Sequence, residues 1–209
     1  MTQYLSRLCL PVLLIAVLAA FGLAPEPSPI ARRWELELKP GVFSMTTVRT
    51  VENGKTIDKA YFYFTYTVIN RSGQDLLFAP SFELVGDDLK VMRSGRGVSV
   101  EANKALIARL NNPLVLDQIA MIGQLQQGPE NSRQGLVAWP VESYRPGALT
   151  LYAAGFSGET AIVQKPGTTD EKNRVTLRKT KMIRYSDVGE LSGRGDQPFP
   201  VLEDRWIMR

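Results

Sequence analysis

The stretch KAYFYFTYTVI, residues 59–69, is the clearest β-strand in the sequence. Successive side chains of a strand point to opposite faces, and aromatic and β-branched residues favour the pleated surface. One face carries Ala60, Phe62, Phe64, Tyr66 and Val68, and the other carries Tyr61, Tyr63, Thr65, Thr67 and Ile69. Because both faces are largely apolar or aromatic, the stretch predicts a central strand that is covered on at least one side.

Segments with strand patterns lie on both sides of this stretch, separated by turn signals such as Pro40-Gly41 and Asn53-Gly54. The predicted strands are 34–39, 42–51, 76–85 with an interruption at Pro80, 90–92, 116–125, 135–139, 148–153, 159–164 and 174–185. The polar stretch 126–134 is predicted as a loop, and 100–110 as the one inserted helix. Many short strands between regular turns predict a mainly β fold, an antiparallel immunoglobulin-like β-sandwich.

The N-terminus has the form of an export signal. Arg7 precedes an apolar run at 8–24, which ends in small residues. Residues 1–24 are therefore predicted as a signal peptide or a signal anchor, and residues 25–33, rich in proline, as a spacer. The β-sandwich domain is assigned to 34–185. A loop-rich C-terminal tail follows at 186–209, in which 203–209 are predicted to pack back as a final strand.

Composition excludes several chemistries. The chain of 209 residues contains no histidine, and its one cysteine, Cys9, lies in the N-terminal apolar run. Ser–His and Cys–His nucleophilic pairs, histidine zinc ligands and disulfides inside the folded domain are thereby excluded. No cofactor and no metal is predicted. The net charge of +4 comes from interspersed charges of both signs, so no nucleic-acid partner is predicted either.

The strand at 174–185 concentrates positive charge and is the candidate binding element. Its candidate site residues are Arg174, Arg178, Lys179, Lys181 and Arg184. Such a cluster favours an anionic partner: a polysaccharide, a lipid headgroup or an acidic protein. The alternative is a solvated sheet face, or a sheet edge that lysine protects against pairing.

Other patterns have a structural and a functional interpretation. Tyr61, Tyr63 and Tyr66 could form an aromatic platform for sugars, but aromatic residues at period two in a central strand favour a core. The turn Gly86-Asp87-Asp88 could supply calcium ligands, and Asn70-Arg71-Ser72 fits a glycosylation acceptor; both are ordinary turn sequences. The tripeptide Arg194-Gly195-Asp196 matches an adhesion motif by chance.

The segment YTVINRSGQDLLFAPSFEL, residues 66–84, resembles exported bacterial Ig-like domains, in which one strand ends in NxSG and the next carries PxFxL. Further segments resemble an uncharacterised family of exported bacterial envelope proteins with such a domain. These are residues 122–124, 128–131, 155–160, 177–180 and 206–209. The resemblance implies an Ig-like fold and an envelope location, and it implies no activity.

These observations predict a non-enzymatic, exported binding or structural module of the bacterial cell envelope, either membrane-anchored or periplasmic or extracellular. Its expected partners are an envelope protein or an anionic polysaccharide or lipid, with the membrane reached through the N-terminal segment. Two alternatives stay open: a carboxylate-dependent hydrolase acting on polysaccharide, and an assembly subunit that adds a strand to a partner.

Overall fold

The structure is a computed structural model that describes residues 34–52, 54–141, 147–167, 171–186 and 196–209. The predicted signal segment, the proline-rich spacer, Cys9 and Arg194-Gly195 lie outside the described residues. Among the described residues, no helix has both the length and the apolar character that crossing a membrane requires.

Twelve strands and one α-helix make up the described part of the chain. The strands are β1 (Leu36–Glu52), β2 (Lys55–Asn70), β3 (Leu76–Phe78), β4 (Ser81–Gly86), β5 (Val91–Arg93), β6 (Val115–Leu116), β7 (Gly123–Leu125), β8 (Gly128–Pro140), β9 (Leu149–Ala154), β10 (Thr160–Gln164), β11 (Arg174–Tyr185) and β12 (Val201–Met208). The helix is α1 (Val100–Arg109), and a 3₁₀ turn spans Glu171–Asn173. The Ser99 hydroxyl begins α1 by accepting a hydrogen bond from the Ala102 N–H at 3.1 Å.

The strands form two larger sheets and a small pair. The first sheet has the order β1-β2-β8-β6, and the second has the order β10-β11-β9-β4-β5, with β12 paired to β11. β3 pairs with β7. Neighbouring strands are antiparallel except for β6 and β8. The prediction of a mainly β fold with antiparallel sheets is confirmed, and the arrangement is consistent with a β-sandwich.

The predicted central strand lies within β2, between β1 and β8 in the first sheet. Its Phe64 and Tyr66 contact Phe82 of the second sheet, with ring centroids 6.1 and 4.8 Å apart. The opposite face of β2 carries Tyr61 and Tyr63, which pack in a second cluster with residues of α1. All three tyrosines are buried, so their interpretation as core is confirmed.

The predicted turn at Pro40-Gly41 is wrong. β1 runs through these residues, and its pairing with β2 shifts register between Pro40 and Phe43, which marks a β-bulge. A Cβ at Gly41 would lie 2.8 Å from the Thr65 carbonyl oxygen, so the bulge brings the two main chains too close for a side chain. The proline and glycine therefore bend a strand here and do not end it.

Two further segments were assigned wrongly from the sequence. The predicted strand 116–125 is interrupted, because the Asp117 carboxylate accepts hydrogen bonds from the N–H groups of Ile119 and Ala120 and closes a turn. Residues 128–134 of the predicted loop 126–134 form the first half of β8. Its polar residues are in a strand because Arg133 and Gln134 pair through the main chain with β2. The predicted final strand is confirmed as β12.

Asn70 ends β2 and is fully buried. Its side-chain amide donates hydrogen bonds to the carbonyl oxygens of Gln74 at 2.8 Å and Leu125 at 2.9 Å. Its side-chain oxygen accepts hydrogen bonds from the hydroxyl and the N–H of Ser72. The motif Asn70-Arg71-Ser72 is thus a turn whose asparagine has its amide nitrogen engaged inside the protein, which leaves no room for a glycan.

Replacing Asn70 with alanine is expected to lower the free energy of unfolding by about 2–3 kcal/mol. The carbonyl group of the buried Leu125 would lose its side-chain donor, whereas that of Gln74 keeps the Ser72 hydroxyl, and an unsatisfied buried group costs about 1–3 kcal/mol. Denaturant unfolding measures the change. Ser72→Ala is the matched control, since it removes the Ser72 hydroxyl and leaves the bond from Asn70 to the buried Leu125 carbonyl in place. An equal loss of stability in both variants would contradict this prediction.

Replacing Tyr66 with phenylalanine is expected to raise the free energy of unfolding by about 1 kcal/mol. The Tyr66 hydroxyl is buried and has no hydrogen-bond partner within the described residues. Removing an unsatisfied buried polar group relieves its desolvation penalty. Thermal and denaturant unfolding of the two proteins measure the difference, and a clear destabilisation would show that the hydroxyl has a partner.

Candidate anion-binding site

The predicted basic strand, β11, divides its charged side chains between two faces. Ile183 and Tyr185 belong to the core between the sheets, so Lys179 and Lys181, which alternate with them, lie on that face. Arg178 and Arg184 lie on the opposite face and are exposed. The outward-facing surface of the second sheet is called the outer face below.

The two lysines are neutralised by neighbouring carboxylates. Lys179 Nζ lies 2.6 Å from Glu35 Oε2, and Lys181 pairs with Asp204. Each ammonium also lies 5.4 Å from the centre of the Trp206 ring. The hydrogen bond to Glu35 raises the pKa of Lys179 above its ordinary value. These contacts give both lysines a structural role at the rim of the core.

A row of outer-face residues crosses the second sheet. The strand register pairs Glu83 with Arg93 and with Tyr152, then Tyr152 with Met182, and Met182 with Arg205. Residues paired in this way are neighbours on one face of a sheet. The row therefore has an arginine at each end, on β5 and on β12, with one carboxylate between them.

Arg209 covers the middle of this row. Its guanidinium carbon lies 4.1 Å from the centre of the Tyr152 ring, and its Nη1 lies 2.5 Å from Glu83 Oε2. The other oxygen of Glu83 lies 3.5 Å from Arg93 Nε. Main-chain hydrogen bonds in both directions between Arg178 and Arg209 hold the end of this segment against β11. Glu83 is thus an internal counter-ion shared by two guanidinium groups.

Two adjoining depressions open along this row and are together called the outer groove. The larger has a volume of about 750 Å³ and lies at the β5 end. It is lined by Glu83, Lys90, Val91, Met92, Arg93, Arg96, Gly97, Pro140 and Arg209. The smaller, of about 270 Å³, is lined by Ser81, Glu83, Tyr152, Ala154, Arg178, Thr180 and Arg209. Glu83 and Arg209 line both depressions, so the two lie side by side along the row.

The described side chains that line the outer groove carry mainly positive charge. Among the described residues, its lining includes five cationic side chains, those of Lys90, Arg93, Arg96, Arg178 and Arg209, and one carboxylate, that of Glu83. A concave surface whose charges have one sign concentrates ligands of the opposite charge, and guanidinium groups bind carboxylate, sulfate or phosphate in a bidentate manner. The arrangement can therefore hold an anionic ligand.

Glycoside hydrolysis requires a pair of carboxylates, and Glu83 is the one acid that the described residues contribute to the lining of the outer groove. Among the described residues, no group of three or more acidic, histidine or cysteine side chains is arranged to hold a metal ion. The carboxylates of Asp87 and Asp88, the predicted calcium turn, accept main-chain hydrogen bonds from Ala148 and Lys90. The described residues of the outer groove therefore offer cationic groups suited to binding.

The remaining predicted residues lie elsewhere. Arg174 begins β11 opposite Gln164 of β10, away from the outer groove. Asp196, the last residue of the adhesion-like tripeptide, is bound to Arg109 of α1. Hydrogen bonds from Thr46 and Arg109 hold the pKa of Asp196 below its ordinary value. This carboxylate therefore fastens the C-terminal segment to α1 and to β1.

Of the predicted site residues, Arg178 lines the outer groove and Arg184 shares its face. Sequence reasoning missed the cations that come from other elements: Lys90, Arg93, Arg96 and Arg209. The alternation of β4 and β9 did contain a signal, because Phe82, Leu84, Leu149 and Leu151 face the core and leave Glu83 and Tyr152 outside. Arg209 carries no such signal, since its position depends on the pairing of β12 with β11.

No family model, curated protein or solved structure matches this chain. The resemblance to exported envelope proteins consequently stays a prediction, and the interpretation of the site depends on its own geometry.

Replacing Glu83 with glutamine is expected to raise the affinity for an anionic polysaccharide about twofold to fivefold. The change keeps the shape of the side chain, removes the one negative charge that the described residues contribute to the lining, and releases Arg93 and Arg209 from their counter-ion. An exposed ion pair is worth about 0.2–1 kcal/mol, which sets this range. Asp58→Asn, in the first sheet, is the matched control and should leave the affinity unchanged in the same titration.

Proposed function

We propose that this chain is a non-enzymatic, exported binding module of the bacterial envelope, and that its outer groove binds an anionic ligand. One observation carries the binding proposal: the described residues that line an open groove on the second sheet include five cations and one carboxylate. The export part rests on the apolar run at 8–24 and the resemblance of residues 66–84.

The proposal extends to an Ig-like topology. Support comes from two mainly antiparallel sheets that share one core, which contains the fully buried Trp139. An experimental structure compared strand by strand with Ig-like domains tests this; a sheet order that no Ig-like domain shares would contradict it.

Retention on an immobilised sulfated polysaccharide tests the binding proposal. The domain should be retained at low ionic strength, should elute as salt screens the charges, and should pass through a neutral polysaccharide of the same matrix. The double variant Arg178→Glu with Arg184→Glu should elute at clearly lower salt, because it reverses two exposed charges on the outer face.

The matched control is Lys55→Glu with Lys104→Glu. It makes the same change in net charge on the β1–β2 hairpin and on α1, both away from the outer groove. If both double variants lose retention equally, the interaction depends on net charge, and the assignment to the outer groove is wrong. Absence of retention for the unmodified domain would contradict the binding proposal altogether.

The export proposal has its own test. Cells that produce the full chain are fractionated, and the protein is sequenced from its N-terminus. Recovery outside the cytosol is expected; a start after the apolar run would indicate cleavage, and an intact N-terminus in the membrane fraction would indicate an anchor. Recovery of intact protein in the cytosol would contradict export.

A further inference from the structure

We infer that the ligand of the outer groove is a linear, repeatedly charged polysaccharide that lies across the strands, and that a single small anion does not fill the site. The inference rests on the proposed function and names its ligand class. It follows from how the cations are distributed over the outer face.

The cations are spread over the width of the sheet. Arg93 lies on β5 at one end of the row and Arg205 on β12 at the other, with β4, β9 and β11 between them. Five strands enclose four gaps of about 4.8 Å each, so the two arginine positions are roughly 19 Å apart. A single sulfate or phosphate cannot contact both ends, whereas a chain with regularly spaced anionic groups can.

The middle of the row is also cationic. Arg209 lies over Tyr152 between the two ends, and Arg178 lines the smaller depression beside it. The row therefore presents cations at its two ends and at its centre. Within the described part of the chain, two acids of these strands share the face: Glu83 pairs with Arg209, and Glu203 pairs with Arg205. A polyanion can replace these internal counter-ions one after another along its length.

The same geometry disfavours a membrane surface and a nucleic acid. A surface that lies on a bilayer relies on aromatic anchors beside its apolar side chains; Val91 of the groove is exposed, but the ring of Tyr152 is covered by Arg209. Binding of single-stranded nucleic acid relies on bases that stack on exposed aromatic faces, and this covering removes that face too. A hydrophilic chain that contacts the groove through its charges fits best.

Titration of the protein with sulfated oligosaccharides of graded length tests the inference. Affinity should rise steeply with length until the oligosaccharide spans roughly 19 Å, and the affinity per oligosaccharide should then level off apart from a statistical increase. A sulfated monosaccharide and inorganic sulfate should bind far more weakly. Arg93→Ala and Arg205→Ala should each lower the affinity for the long oligosaccharide by up to about fivefold and leave the weak binding of the monosaccharide nearly unchanged.

Three results would overturn the inference. If the monosaccharide binds as tightly as the long oligosaccharide, the site is a pocket for a single anion, and the proposed function survives without this extension. If vesicles of phosphatidylglycerol bind while the oligosaccharides do not, the ligand is a lipid surface. If no anion binds, the inference and the proposed function fail together. Both arginines are exposed, and near-ultraviolet circular dichroism confirms that the variants are folded.

Discussion

Replacing Trp139 with alanine is expected to lower the free energy of unfolding by about 3–5 kcal/mol, the usual cost of deleting a buried large aromatic side chain. Trp139 is fully buried on β8, and its ring meets that of Phe43 edge-on at 6.4 Å. Its indole N–H donates a hydrogen bond to the Met92 carbonyl oxygen of β5 at 3.1 Å. One side chain thus joins the first sheet to the edge of the second, and denaturant unfolding measures its contribution.

Trp139→Phe is the control for this prediction. It retains most of the apolar volume and loses the hydrogen bond to Met92, so the expected loss is about 1–3 kcal/mol. Trp139 supports β5, and β5 positions Arg93 in the outer groove. Trp139→Ala is therefore also expected to weaken anion binding more than Trp139→Phe does. Equal stability of the alanine variant and the unmodified protein would mean that the two sheets do not pack on each other through this residue.

Reversing Arg93, Arg178 and Arg209 to glutamate together is expected to lower the affinity for a sulfated polysaccharide by about 100-fold. Each exposed contact is worth up to about 1 kcal/mol, and three of them amount to roughly two powers of ten before any repulsion is counted. The loss should exceed that of the Arg178 and Arg184 double variant, because Arg93, Arg178 and Arg209 all line the outer groove, whereas Arg184 only shares its face.

The triple variant should unfold at nearly the same denaturant concentration as the unmodified protein, because surface ion pairs contribute little to stability. Its matched control is the triple reversal of Arg49, Lys55 and Lys104, which makes the same charge change on the first sheet and on α1. Affinity should fall only slightly in the control at physiological salt. A control that loses as much affinity as the groove variant would show that binding is not confined to the outer groove.

The mainly β fold could be predicted because the sequence of β2 itself shows the alternation that its burial follows. In its central part, Phe62, Phe64 and Tyr66 pack in the core between the sheets. Tyr61 and Tyr63 pack with α1 on the opposite face, so local alternation and tertiary packing agree. The first half of β8 was missed for the opposite reason. Its polar side chains carry no alternation, and it is a strand because β2 offers main-chain partners to Arg133 and Gln134.

The outer groove could be predicted only in part. Sequence reasoning selected β11 for its charge and thereby found Arg178 and Arg184. It could not separate them in role from Lys179 and Lys181, whose counter-ions Glu35 and Asp204 come from distant segments. The contact between Glu83 and Arg209 joins residues 126 positions apart, and only the pairing of β12 with β11 brings them together.

The most direct test of the account is a two-dimensional amide NMR titration of the domain with a sulfated oligosaccharide long enough to span the row. Binding in the outer groove predicts shifted resonances in the second sheet, around Glu83, Arg93, Tyr152, Arg178 and Arg209. The resonances of the β1–β2 hairpin and of α1 should stay unchanged. Shifts centred on the hairpin or on α1, or no shifts at a saturating concentration, would contradict the central claim that the outer groove is the binding site.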